Sequence, residues 1–228
     1  MLDYLISLDS QLFLLLNGLH SPFTDAFMYG FSGRFVWIPM YACILWLLIR
    51  NRPLKIAAVY LAGIILAIVF ADQVCASLIR PAVERLRPSN LDNSISALTH
   101  IVYGYRGGSY GFPSCHAANS FALAVFISRL FRRRWFSAFI LLWAVVNSYS
   151  RICLGVHFPG DLLAGAIIGS IGAEILFRVS RHSSLRIDPG ERDAMHMPFQ
   201  GTNVMIAIGL ATTAAIAIFA LFRMACGC

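Results

Sequence analysis

The chain has 228 residues, of which 58% are hydrophobic and only 13% charged, with a formal net charge of +7. Soluble domains run nearer about 45–50% apolar and about 25% charged, so the composition excludes a water-soluble globular protein and points to an integral membrane protein. The basic excess sits in short loops between apolar runs, so no nucleic-acid partner is needed to explain it.

Residues 1–33 are apolar but broken by Asn17, Gly18, Ser21, Pro22 and Asp25, and they are expected to form one or two interfacial or re-entrant helices. Asp3 and Asp9, with no basic residue before Gln11, do not make the charged start of a cleavable signal peptide. Beyond them, about six stretches approach the roughly 20 residues that cross a bilayer as helix. They lie near 34–49, 54–79, 117–131, 136–151, 158–177 and 203–222. The expected fold is all-α, an integral membrane helical bundle with about six transmembrane helices. Its parts are the N-terminal segment 1–33, a membrane core over 34–180, a polar linker over 181–202 and an additional C-terminal helix over 203–228.

Charge sets the expected orientation. Arg50, Arg52 and Lys55 crowd one loop; Arg129, Arg132, Arg133 and Arg134 a second; Arg178, Arg181, Arg186 and Arg192 a third. With alternating spans these loops share one side, which the positive-inside rule makes cytoplasmic. The remaining clusters then face the periplasmic or extracytoplasmic side of a bacterial-type inner membrane.

Those clusters are Arg80 to Pro88, Pro113 to His116 and Ser150 to Asp161. Arginine inside or beside hydrocarbon costs roughly 2.5–3.5 kcal/mol per residue on insertion scales, and an anion offsets that cost. Arg80 and Arg87 are seven residues apart, nearly two turns, so a continuing helix would show both forks on one face, with a local break at Pro81. Two guanidinium forks suit phosphate oxygens, although an isolated pair reads first as juxtamembrane anchors. Pro113, Ser114, Cys115 and His116 open an apolar helix, whose unpaired first N–H groups favour an anion. His157 and Asp161, at i and i+4, place a carboxylate against the imidazole, which fixes the tautomer and leaves Nε2 free as a nucleophile or base. Arg151 adds a third positive fork.

Arg80-x6-Arg87-Pro88, Pro113-Ser114-Cys115-His116 and Ser150-Arg151-x5-His157-x3-Asp161 resemble the three-part signature of the type 2 phosphatidic acid phosphatase superfamily, over roughly residues 34–180. That family has lysine where Arg80 stands and glycine where Cys115 stands. The resemblance implies a membrane-embedded lipid phosphatase. In it His157 is the nucleophile that forms a phosphohistidine, Asp161 orients it, and His116 protonates the leaving oxygen and then activates water. Arg80, Arg87, Ser114, Cys115 and Arg151 bind the phosphate. No metal and no cofactor are expected, because no cluster at metal-ligand spacing stands beside these motifs.

The expected substrate is a lipid phosphate or diphosphate in the bilayer. Undecaprenyl pyrophosphate leads slightly over lipid A phosphate, phosphatidate and phosphatidylglycerol phosphate, because the Ser89 to Phe112 loop is modest in size. A lipid phosphotransferase would use the same residues. A non-enzymatic lipid transporter would instead depend on the intramembrane carboxylates Asp72 and Glu174. Whether Asp72 and Arg106 join the site is left open at this point, and Cys226 and Cys228 have no evident role.

Overall fold

A computed structural model describes residues 2–194 and 196–226; Cys228 lies outside them. The chain opens with α1 (Leu2–Asn17) and α2 (Pro22–Phe31). Ser21 starts α2 with a capping box: its hydroxyl accepts the Thr24 N–H and Thr24 Oγ1 accepts the Ser21 N–H, with Pro22 at the first helical position. A 3-10 turn at Phe35–Trp37 leads into α3 (Ile38–Asn51), and this stretch is bent by 66° relative to α2.

α4 (Leu54–Gln73) passes through a π-helical stretch, Val74–Ile79, into the short α5 (Arg80–Val83). Pro81 explains the wider turn: it has no N–H, and its ring crowds the carbonyl of the preceding turn. The Arg80 N–H accordingly bonds the Cys75 carbonyl. The chain continues with α6 (Cys115–Phe131), α7 (Arg134–Cys153), α8 (Pro159–Ile187), the short α9 (Glu191–Ala194) and α10 (Thr202–Cys226).

The regular elements among the described residues are all helical, and each predicted span falls on one of them. Among the described residues four continuous helical stretches, 54–83, 134–153, 159–187 and 202–226, are long and apolar enough to cross a bilayer, or up to five spans if the bent α2–α3 pair is one. α6 is apolar but has only 17 residues, so length and composition alone do not reach the expected six. The polar residues after 180 also mislead. Ser184 is buried with its hydroxyl 3.2 Å from Tyr60 Oη, and the buried Arg52–Glu191 pair at 2.8 Å closes the same end. That inward polarity lets α8 continue to Ile187, past the linker boundary expected at 181.

α4, α6, α7 and α8 form the centre of the bundle, with α10 packed on α2 and α3. Tyr60, Phe126, Phe131, Phe136 and Trp143 fill the core, whereas Leu66, Ile167 and Leu221 are about half exposed on the outer faces, as suits a hydrocarbon solvent. α8 approaches α6 so closely that a Cβ on Gly165 or Gly169 would collide with the carbonyls of Ser114 and Ala118. This contact locks the start of α6 against the start of α8, where the motif residues stand.

Candidate active site

Arg80 and Arg87 do not share a helical face. α5 stops at Val83, and Glu84 takes a left-handed conformation with φ 50° and ψ 30°. The following segment is extended: Leu86 is bridged to Tyr110, the Arg87 N–H bonds Ser109 O, and the Gly111 N–H bonds Arg85 O. Arg80 thus arrives from the helix and Arg87 from a ribbon. Arg80 Nη2 donates to Pro113 O at 3.0 Å and to Cys115 Sγ at 2.9 Å. Arg87 Nη1 donates to Val156 O at 2.8 Å and to His157 Nε2 at 2.7 Å.

That last contact assigns the tautomer. A guanidinium has no acceptor, so Nε2 receives the bond and the proton sits on Nδ1. His157 Nδ1 then donates to Asp161 Oδ2 at 3.3 Å. The expectation of a free Nε2 is therefore corrected: it is capped by Arg87. His157 is 2% exposed. Burial first, then the charges of Arg87 and Arg151, hold its pKa well below the ordinary 6.5, so the ring is neutral. Burial, followed by the repulsion of Arg80 and Arg151, presses the Arg87 guanidinium down to about 10, still a cation at neutral pH.

Asp161 is fully buried and each of its oxygens is engaged. Oδ1 accepts from Arg85 Nη1 at 2.9 Å; Oδ2 accepts from the Phe158 N–H at 3.0 Å and faces His157. Arg85 also pairs with Asp9 of α1 at 2.7 Å, and Asp9 accepts from the Gly160 N–H at 2.8 Å. The N-terminal helix therefore braces the carboxylate that holds His157. Sequence reasoning missed both Arg85 and Asp9. Arg85 lies inside a basic run that had already drawn notice; Asp9 gave no local signal.

Ser114 is buried and its hydroxyl accepts from the Ala117 N–H at 3.4 Å, so its side chain caps α6. The first N–H groups of α6, those of Cys115 and His116, have no intrahelical partner. Arg151 donates to Ser32 Oγ at 2.7 Å and to Tyr105 Oη at 3.2 Å, two further partners missed from sequence. Arg80 Nε, Arg87 Nε, Arg151 Nε and His116 Nε2 are buried without a hydrogen-bond partner. An unpaired buried polar group costs about 1–3 kcal/mol. A tetrahedral oxyanion is a ligand whose oxygens could satisfy such a set together.

Cys115, His116 and Arg151 also stand on the wall of a cavity of about 770 Å³, whose other wall is apolar and includes Ile44, Leu45, Leu61, Ile64, Ile68 and Leu123 from α3, α4 and α6. Arg34 and Tyr105 stand on the same wall. The cavity thus joins a cationic end to a hydrocarbon-like end.

The weaker candidates resolve as follows. Asp72 accepts from Asn119 at 3.0 Å and lies on the cavity wall, without bonding a motif arginine. Arg106 donates to Ser89 O at 2.6 Å within its own loop. Glu174 pairs with Arg129 and Arg178. His100 bonds Asp25 at 2.8 Å and stacks on His20. These last three are the only group among the described residues placed to share a metal ion, and none of them bonds the motif arginines.

Residues 57–184 match the sequence profile of the PAP2 superfamily. Over 98% of this chain and all of the relative, the sequence is 50% identical to the "Lipid A 4'-phosphatase" of Bacteroides thetaiotaomicron. A "Lipid A 4'-phosphatase" of Porphyromonas gingivalis is 36% identical over 81% of this chain and 78% of its own length. The crystal structure of Aquifex aeolicus LpxE superimposes with a TM-score of 0.59 and 27% identity, covering 75% of this chain and 95% of that one. With the three motifs joined by the Arg80–Cys115 and Arg87–His157 contacts inside a helical bundle, the chain belongs to the PAP2 superfamily.

Proposed function

We propose that this phosphatase removes the 4'-phosphate of lipid A, with His157 as nucleophile. One observation carries the chemistry: the buried, unpartnered nitrogens of Arg80, Arg87, Arg151 and His116, beside a cavity that continues between apolar helix faces. A lipid whose tails stay in hydrocarbon while its phosphate enters a cationic end fits that shape.

In this reading the phosphate draws Arg87 away from Nε2, exposing the lone pair. Nε2 attacks phosphorus, the P–O bond to the sugar breaks, and His116, protonated once the negative phosphate lies beside it, gives that proton to the departing oxygen. Asp161 stabilises the charge left on the His157 ring. His116 then takes a proton from water, the hydroxide attacks the phosphohistidine, the P–N bond breaks, and inorganic phosphate leaves with His157 neutral again. The arginines and the free N–H groups of α6 neutralise the phosphoryl oxygens in both steps.

The choice of lipid A rests on the full-length relatives. The slight lead given to undecaprenyl pyrophosphate is withdrawn, since a relative named undecaprenyl-diphosphatase matches at 32% identity over only 68% of this chain. The arginine-rich loops lie at the opposite end of the bundle, which supports an active site on the extracytoplasmic side of a bacterial inner membrane.

The test is phosphate release from purified lipid A and from undecaprenyl diphosphate in detergent micelles, wild type beside His157→Ala. Release from lipid A, with mass fragmentation locating the loss at the 4' position and no release by the variant, is the expected result. Faster turnover of the diphosphate would overturn the substrate, and undiminished release by His157→Ala would overturn the nucleophile.

A further inference from the structure

At the end of the bundle away from His157, a cavity of about 550 Å³ is bounded by the α3–α4 turn, the α6–α7 turn and α8. Six arginines line it: Arg52, Arg129, Arg132, Arg133, Arg134 and Arg181. Two of them have carboxylate partners, Arg52 with Glu191 at 2.8 Å and Arg129 with Glu174 at 3.1 Å. The other four have none within ion-pair distance among the described residues.

Loop arginines alone would satisfy the positive-inside rule from open solvent, and would not need a shared wall. Three further features argue for a ligand. The Ser128 hydroxyl on that wall is buried with no hydrogen-bond partner. The 20-residue α7 begins there without a side-chain cap, so the N–H groups of its first turn and the positive end of its dipole add to the arginines. Arg132 takes φ 54° at the end of α6, a position that favours glycine, yet the chain keeps a guanidinium there.

Trp135, next to Arg134, is 85% exposed. Exposed tryptophan at a helix end marks the depth of lipid headgroups. That position favours a membrane lipid over a dissolved ion. We propose that this cavity binds the phosphate of an anionic lipid headgroup in the leaflet opposite the active site. This site is separate from the catalytic one, and the inference does not depend on the lipid A reading.

The experiment uses the full chain in nanodiscs of phosphatidylcholine, with or without phosphatidylglycerol. Retained lipid is read by native mass spectrometry and the unfolding midpoint by calorimetry. Arg134→Gln/Arg181→Gln is expected to hold phosphatidylglycerol about tenfold more weakly than wild type. Arg186→Gln/Arg192→Gln, which removes the same charge outside the cavity, is expected to hold it as wild type does. Arg132→Gly supplies the second test. It relieves the left-handed strain, so it should be at least as stable as wild type in pure phosphatidylcholine while losing the stabilisation by phosphatidylglycerol. Unchanged retention in Arg134→Gln/Arg181→Gln, or equal loss in Arg186→Gln/Arg192→Gln, overturns the site. A shift of equal size from inorganic phosphate in pure phosphatidylcholine overturns the headgroup as its ligand.

Discussion

Arg80 Nη2 lies 2.9 Å from Cys115 Sγ, so the two positions at which the chain departs from the family's lysine and glycine touch each other. The departures compensate. A guanidinium can give one N–H to the thiol and another to the Pro113 carbonyl while its Nε stays unpartnered, whereas an ammonium is a single point of charge. Arg80→Lys alone should abandon the thiol, and Cys115→Gly alone should release the guanidinium; each is expected to lower kcat/KM about tenfold. The double variant Arg80→Lys/Cys115→Gly should lose less than the two effects combined, because it restores a matched pair. A double-mutant cycle measures this, and strictly additive effects would show that the two residues are uncoupled.

Arg85 joins the N-terminal helix to the carboxylate beside His157 through Asp9 and Asp161. Its guanidinium also lies over the Phe158 ring at 3.9 Å. Removing one partner of a buried ion pair costs about 3–5 kcal/mol. Arg85 is partly open to solvent, so the lower end applies to Arg85→Ala. The variant should lower the unfolding midpoint and reduce kcat far more than it raises KM, since Asp161 would no longer hold the His157 ring in place. Arg85→Lys should recover most of the stability and part of kcat. A change confined to KM would count against a positioning role.

The three motif clusters stood out because arginine, histidine and aspartate are rare among apolar runs, and the structure brings them into contact. The helical class followed from the same composition. Arg85 was hidden by a local assumption. Reading Arg80 and Arg87 as neighbours on one helix placed Arg85 elsewhere, while the break at Glu84 depends on the long-range bridge between Leu86 and Tyr110. Asp9 could not be found at all, since its role arises only when α1 meets the start of α8. α8 runs on to Ile187, beyond the apolar span drawn to residue 177, because Ser184 and the nearby Glu191 hydrogen-bond inside the bundle despite their polarity.

Hydrolysis is expected to survive EDTA. In the proposed steps Arg80, Arg87 and Arg151 meet the charge of the phosphate and His116 transfers the proton, which leaves no work for a Lewis acid. The His20, Asp25 and His100 group bonds none of these residues. Turnover would be followed before and after exhaustive chelation. Loss of activity that returns with an added divalent cation would overturn the metal-independent route.

The pH profile tests the contact between Arg87 and His157. The histidine pKa is held well below 6.5, first by burial and next by Arg87. The ring therefore stays neutral as pH falls through 6.5, and, with His157 as the proposed nucleophile, its limb in kcat/KM should appear at a clearly lower pH. Arg87→Gln removes the largest neighbouring charge, so the limb should move up towards 6.5 without reaching it, because the burial remains. Stability follows with a definite sign. Below 6.5 the unfolded histidine binds a proton that the folded one refuses, so the unfolded state carries more protons and stability falls as pH drops towards the folded value. Arg87→Gln should narrow that window from its acid side. Activity against pH and unfolding midpoints against pH would both be recorded for the two proteins. A wild-type limb already at 6.5 and unmoved by the substitution would show that Arg87 does not act on His157 in the working enzyme.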